Sequence, residues 1–263
     1  MYKQQHITVV IPALNEALSI AKVVAELYAL SSIDGPVIDD VIVCDNGSSD
    51  GTGHAAHHAG ARVVVERRRG YGYACLCALA AIDITDVVVF VDADDCFFIE
   101  QTIVLLDAID SGADLAIGSR TLGHIDPYAL TPAQRFGNRL ATVLIDKLWS
   151  HSYSDLGPFR AIKWRALETL EMRDTHYGWT VEMQVKAVIE RLFVVDVPVD
   201  TRVRVGQSKI SGTVSGTIKA GIGILGMIAT LYWRQWWSKR QRRPCQHTDL
   251  KSLKNDVKPH RIS

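Results

Sequence analysis

The sequence predicts an α/β protein with a mostly parallel central sheet flanked by helices. Short β-branched runs at Ile7–Ile11, Val37–Cys44, Ala61–Val65 and Val87–Val91 alternate with helical stretches, the pattern of strands joined by crossovers. Val87–Val91 (VVVFV) has no polar alternation, as expected of a strand buried on both faces. Three carboxylates, Asp92, Asp94 and Asp95, follow that run at once. Open α/β sheets bind their ligands at the carboxyl ends of their strands.

Each element has its own signal. Ile7–Ile11 is a strand expected to stop at Pro12. Asn15-Glu16 opens a helix whose apolar positions, Ile20, Val23, Val24, Leu27 and Leu30, repeat at about 3.6 residues. After the Val37–Cys44 strand, the turn-rich stretch Asp45–Thr52 leads into another helix. Gly70–Ile82 is a loop and helix before the Val87 strand, and Ile103–Ile109 is the helix after it. Asp114–Ser119 is a strand, and Thr121–Pro132, with two prolines and a glycine, a loop. Pro132–Trp149 is an amphipathic helix, Arg160–Ile162 a short strand, Trp179–Arg191 a helix and Leu192–Val199 a final strand. In a parallel sheet the loops after Ile11, Cys44 and Val91 share one edge. Pro12, Asn15, Glu16, Asp45, Asn46, Asp92 and Asp94 are therefore expected around one crevice.

Composition narrows the classes. Of 263 residues, 48% are hydrophobic and 22% charged, as in a globular protein. Formal net charge is zero, which gives no electrostatic argument for nucleic acid. From Ser238 to Ser263, eight basic residues face two acidic ones, so this tail is basic and the remainder acidic. The five cysteines form no CxxC pair or zinc spacing, consistent with free thiols in a reducing compartment. The start, MYKQQHITVVIP, enters a strand with no apolar h-region, so no signal peptide is expected. His54, His57 and His58 have helical metal-pair spacing but no acid completing HExxH, and are read as a polar helix face.

The motifs VIPALNE, CDNGSSDGT, RRGYGYA, VDADD, GSR, DLGPFRA and VGQSK, in that order over roughly residues 7–230, resemble those of the family 2 glycosyltransferases of GT-A (Rossmann-like) fold. Within that family the set is most similar to the dolichyl- and polyprenyl-phosphate sugar transferases. The resemblance implies an inverting, metal-dependent hexosyltransferase. Its donor would be a UDP- or GDP-sugar and its acceptor a polyprenyl phosphate. Pro12, Asn15, Glu16, Asp45, Asn46, Arg69, Gly70 and Asp92 would bind the donor, with Asn46 where a second acid is usual. Asp92 and Asp94 would hold Mg2+ or Mn2+. Two positions further on stands Cys96, a soft ligand poorly matched to Mg2+, which leaves water or Asp95 to complete the shell. Arg120 and Arg135 would act on the phosphates, and Arg160, Glu182, Arg204, Ser208 and Lys209 on the acceptor. Val203 stands where the family has an arginine, and either Arg202 or Arg204 could substitute.

The chemistry explains these residue types. Paired hard oxygen ligands suit a cation that neutralises a diphosphate leaving group. A phosphate acceptor is already anionic and needs only cations to place it. A hydroxyl acceptor needs a base, for which Asp155 is the candidate; a cap or turn role is the alternative reading of Asp155. Glu182 either faces the acceptor or pairs with Lys186.

Ile218–Trp233 is apolar apart from Lys219, and Tyr232, Trp233, Trp236 and Trp237 precede the basic cluster. As a helix, Ala220–Trp233 would extend about 21 Å, short of the roughly 30 Å hydrocarbon core. A C-terminal apolar helix lying on a membrane surface is expected; packing on the core or a dimer is the alternative. The chain thus divides into a catalytic domain at 1–210, an interface helix at 211–237 and a basic tail at 238–263, placed on the cytoplasmic face of the membrane. Two other functions compete: the same chemistry on a hydroxyl acceptor, and a non-catalytic nucleotide-sugar-binding membrane partner.

Overall fold

The structure is a computed structural model. It describes residues 1–33, 35–127, 129–205 and the helix at 214–241, and within that helix the side chains of 220–237 and 240. Nine strands and eight helices are present among these residues: β1 (Ile7–Ala13), α1 (Ile20–Ala29), β2 (Ser31–Ser32), β3 (Gly35–Pro36), β4 (Asp40–Asp45), α2 (Thr52–His58), β5 (Arg62–Val65), α3 (Tyr71–Leu79), β6 (Val87–Phe90), α4 (Thr102–Asp110), β7 (Leu115–Ser119), α5 (Pro132–Trp149), β8 (Arg160–Lys163), α6 (Trp164–Leu170), α7 (Trp179–Ile189), β9 (Val194–Pro198) and α8 (Val214–Gln241).

Seven strands form one sheet in the order β5-β4-β1-β6-β8-β7-β9, and β2 and β3 make a separate hairpin. β5, β4, β1 and β6 run parallel, as do β7 and β9. β8 lies antiparallel between β6 and β7. The expected mostly parallel sheet is therefore present. All of Val87–Phe90 is buried, because both faces are covered. Ile20, Val23, Val24, Leu27, Leu105 and Leu106 pack on one face with Val9, Val43 and Val89. Ala74, Cys75, Ala141, Ile145, Val181, Val185 and Ile228 pack on the other with Val10, Ile42 and Val88.

Several boundaries differ from expectation for local reasons. Pro12 does not end β1, which pairs with β4 through Ala13↔Asp45. The β6 ladder ends at Val10↔Phe90, the Val10 carbonyl accepts from Val91 on that side, and the Ala13 carbonyl accepts from Asn46 on the other. Pro12 thus faces the β6 side beyond the ladder, where a missing N–H costs no bond. α1 starts at Ile20 rather than at Asn15, whose φ is 54°. α5 spans the expected residues and starts with a capping box: Thr131 accepts from Gln134 N–H while Gln134 reaches back to the Thr131 N–H, with Pro132 at the first position. α6 had no counterpart in the sequence reading.

α8 runs to Gln241, four residues beyond the 237/238 boundary drawn from composition; Lys, Arg and Gln are good helix formers. It packs on α5 and α7, burying Ile228 and Leu231 while Ile222, Leu225, Trp233, Trp236 and Trp237 stay exposed. No helix among the described residues is long and apolar enough to cross a membrane.

Candidate active site

The parallel pairing of β4, β1 and β6 brings their carboxyl ends to one edge, as expected. There the loops carrying Pro12, Glu16, Asn46, Asp92 and Asp94 enclose a cavity of about 400 Å³, completed by Arg69, Gly70, Tyr71, His176, Tyr177 and Arg204. Asn46 is 4% exposed and organises this wall. Its amide donates to the Glu66 and Arg68 carbonyls, and its oxygen accepts from the Gly70 N–H at 2.9 Å. An acid there would have no amide to donate to those two carbonyls. Asn15 and Asp45 do not line the cavity. Asn15 accepts from the Ser49 N–H and Asp45 from the Ser48 N–H, so both shape the loop behind the wall.

The acidic centre lies at the end of β6. The ligating atoms of Asp92, Asp94 and Cys96 all lie within 4.8 Å of one another. Burial, then the Asp94 carboxylate, push Asp92 up to about 7, against the pull of Arg204 and Arg120. Two carboxylates this close repel, and a cation relieves the repulsion; the donor set therefore fits a divalent metal. Asp95 does not join them. Its φ of 58° turns it away, and its buried carboxylate pairs with Lys22 at 2.6 Å and with Arg202. Of the two candidate substitute arginines, Arg202 is thus committed elsewhere. Arg204 reaches Asp94 at 2.6 Å and Glu16 at 3.4 Å, so it stands among the acids of this cavity. Its Nε is buried without a partner.

A second cavity of about 470 Å³ adjoins the first and shares Tyr71, Asp92 and Tyr177 with it. Its lining includes Phe136, Gly137 and Leu140 of α5, Ala220, Gly221, Ile224 and Leu225 of α8, Leu156 and Pro158, and two charged residues, Arg120 and Asp92.

Four expected roles meet a different geometry. Asp155 is fully buried, and Arg120 occupies both its oxygens at 2.7 Å while the Arg120 N–H adds a third bond at 2.9 Å. It is the counter-ion that aims Arg120, not a free base. Arg160 is 1% exposed; it donates to the Gly157 and Thr180 carbonyls, and burial pulls its pKa down. It ties β8 to α7 instead of meeting an acceptor. Glu182 is also buried; it pairs with Lys186 at 2.8 Å and accepts from the Arg173 and Asp174 N–H groups. Arg135 is exposed on the first turn of α5 and lines neither cavity. Ser208 and Lys209 lie outside the described residues.

Sequence reasoning passed over Tyr71, His176 and Tyr177. Tyr71 points its hydroxyl at Asp92, 3.4 Å away; burial, with Asp92, holds its phenol well above the ordinary value, so it is a neutral donor. His176 and Tyr177 arrive on the segment that Glu182 fixes. That segment crosses α3 through Gly72 N–H to the His176 carbonyl and Tyr73 N–H to the Thr175 carbonyl. A side chain at Gly70 or Gly72 would run into the Thr175 or Asp174 carbonyl. The glycines in RRGYGYA were the available signal, marking a close backbone approach.

Known proteins share the sequence pattern and the fold of this chain. The sequence profile of glycosyl transferase family 2 matches residues 8–171. An uncharacterized glycosyltransferase of Mycobacterium tuberculosis is 32% identical over 217 residues, covering 81% of this chain and 94% of that protein. A dolichyl-phosphate hexose transferase of Haloferax volcanii is 28% identical over 219 residues, covering 82% and 91%. Among solved structures, glucosyl-3-phosphoglycerate synthase from Mycobacterium tuberculosis, in complex with Mn2+, UDP-glucose and phosphoglyceric acid, superposes with a TM-score of 0.67. It is 24% identical and covers 86% of this chain and 80% of that one. With the profile spanning more than half its length, the chain belongs to glycosyl transferase family 2.

Proposed function

We propose that the protein moves a hexose from a nucleoside-diphosphate sugar to a polyprenyl phosphate, with inversion, at the cytoplasmic surface of a membrane. One observation carries the acceptor: the cavity between α5 and α8 is lined mainly by apolar residues, has the Arg120 cation in its lining, and shares Tyr71, Asp92 and Tyr177 with the polar cavity. A long apolar chain with a phosphate head matches a groove of that polarity with a cation in its wall.

In this reading Pro12, Glu16, Asn46, Arg69, Gly70 and Asp92 hold the donor, with Asn15 and Asp45 shaping the loop around it. Asp92 and Asp94 hold Mg2+ or Mn2+, which would neutralise the diphosphate leaving group. Arg120, aimed by Asp155, places the acceptor phosphate. That nucleophile is already an anion, so no base is required, in keeping with an Asp155 whose oxygens are both taken. Tyr71 and Tyr177, at the junction, flank the anomeric centre and keep water from it. Arg204 answers the donor phosphates, and Ser208 and Lys209 are assigned to the acceptor by resemblance. Arg160 and Glu182 act only by positioning. Residues 1–210 form the catalytic unit, α8 the membrane-facing helix and the basic C-terminal residues an electrostatic anchor.

The test is transfer from labelled UDP- and GDP-sugars, with Mn2+, to a short polyprenyl phosphate or to soluble hydroxyl acceptors. Label extracted into organic solvent only with the lipid phosphate is expected. Label appearing only on the soluble acceptor would overturn the reading.

A further inference from the structure

We infer that the Cys96 thiolate is the third protein ligand of the divalent cation, and that it shifts the site away from Mg2+ toward softer ions. The inference rests on the metal role proposed above for Asp92 and Asp94. It goes beyond that role in assigning a ligand and a selectivity.

The backbone places the sulfur. The Cys96 N–H donates to Asp94 Oδ1 at 3.2 Å, closing a tight turn. Asp95, between them, has a φ of 58°, which sends its own side chain to Lys22 and Arg202. Asp94 and Cys96 are thereby left on one side of the turn, and with Asp92 their ligating atoms fall within 4.8 Å of one another. Around a single cation, ligands at about 2.1 Å and about 2.3 Å stand at most about 4.4 Å apart, so the set needs only a small inward shift to close on an ion. Asp95 and Cys96 are adjacent, yet only Cys96 is free of an ion pair that would hold it elsewhere.

Ligand chemistry gives the selectivity. Mg2+ prefers oxygen ligands in near-ideal octahedral geometry. A thiolate favours borderline and soft ions, and along the first row affinity rises from Mn2+ to Co2+. Coordination exchanges the thiol proton, released to solvent, for the metal–sulfur bond, with no change of oxidation state. A pair of aspartates alone would not discriminate in this way.

The experiment is Co2+ titration of the full-length, nucleotide-free protein, read by absorbance and by calorimetry, with Mg2+ as competitor. A sulfur-to-cobalt charge-transfer band is expected in the near ultraviolet. Cys96→Ser should abolish the band and weaken Co2+ on the order of 10- to 100-fold, the range for disturbed ligand shells. Cys96→Asp should lower the Co2+ over Mg2+ preference by a similar factor, and Cys44→Ser should keep the wild-type spectrum. The wild-type spectrum needs no variant to fold. Co2+ binding without the band, or a band that survives in folded Cys96→Ser, would overturn the inference while leaving the aspartate site standing. No Co2+, Mn2+ or Mg2+ binding by the wild type, with or without UDP, would sink both.

Discussion

Arg204 Nη2 lies 2.6 Å from Asp94 Oδ2, and both residues line the polar cavity at the end of β6. The guanidinium also reaches Glu16 at 3.4 Å. A side chain from the far end of the domain thus supplies positive charge between two carboxylates. It is one of the two cations that hold Asp92 below the value that burial and Asp94 would otherwise give. Arg204→Gln should therefore strengthen Mn2+ binding to the nucleotide-free protein, on the order of tenfold, because an internal competitor is removed. The same change should weaken UDP-sugar binding at saturating Mn2+, because a phosphate partner is lost. Calorimetric titration of both ligands reads the two effects, and an Mn2+ affinity that falls would refute the competition.

The pH dependence follows from Asp92. Its carboxyl is pushed up to about 7 by burial and by Asp94, so below about pH 7 a cation must displace a proton. Mn2+ affinity should rise with pH up to about 7 and then level off, with proton release near pH 6 that fades by pH 8. The sign for folding is opposite. An acid whose folded value is raised costs nothing while protonated in both states; the cost appears as pH climbs from about 4 through 7. The metal-free protein should lose part of its stability over that window, and Asp92→Asn should remove that part. Thermal unfolding across pH, without metal, checks it; parallel curves for the two proteins would sink the assignment.

The segment carrying His176 and Tyr177 lies directly on the backbone of α3. Gly70 and Gly72 face the Thr175 and Asp174 carbonyls, and backbone atoms have little room to yield. Gly72→Ala should displace the 174–177 segment, cutting donor affinity at least tenfold, while the sheet remains intact. Far-ultraviolet circular dichroism with a UDP-sugar titration tests this. Donor affinity unchanged in a folded variant would mean that the segment does not wall the site.

Much of this was legible in the sequence because it is local. The unbroken VVVFV run announces a buried strand, and the alternation of strands and helices puts Pro12, Asn46 and Asp92 on one edge. Three things were not local. β8 runs antiparallel, which no four-residue stretch can declare. The Arg120–Asp155 pair joins residues 35 apart, and composition does not tell a buried counter-ion from a free base. Tyr177 depends on the bonds from the Arg173 and Asp174 N–H groups to Glu182 and on backbone contacts between segments about a hundred residues apart. Such placement has no periodicity to read.

Asp155→Asn separates the two roles that sequence left open. Asp155 is fully buried and the Arg120 side chain is 16% exposed, and removing one charge of such a pair leaves the other uncompensated. A loss of about 3–5 kcal/mol is typical for breaking a buried pair. The Asn variant should therefore show a clearly lowered midpoint of unfolding. Its single-turnover rate, measured below that midpoint, should be restored in part by raising the lipid-phosphate concentration, since the defect lies in placing the acceptor. A general base would behave otherwise: full stability with a rate lower by about 10²–10⁴ at every acceptor concentration.

The exposed aromatic end of α8 bears on where the enzyme works. Trp233, Trp236 and Trp237 are 61%, 37% and 59% exposed, and the Arg240 guanidinium stacks over the Trp236 ring at 4.7 Å. Indoles beside basic groups sit well at the headgroup level of a bilayer. One wall of the apolar cavity belongs to the same helix, at Ile224 and Leu225, so docking there would bring that cavity close to the lipid. Replacing the three tryptophans by alanine removes exposed surface and leaves in place the Trp149 to Gln235 hydrogen bond that ties α5 to α8. The fold and UDP-sugar affinity should be preserved. Sedimentation with vesicles containing anionic lipid should drop several-fold, and transfer to vesicle-borne polyprenyl phosphate should drop with it. Transfer to the same acceptor in detergent should stay near wild type, because the groove itself is untouched. Equal sedimentation of the variant and the wild type would remove α8 from the membrane contact and return it to a packing role against α5 and α7.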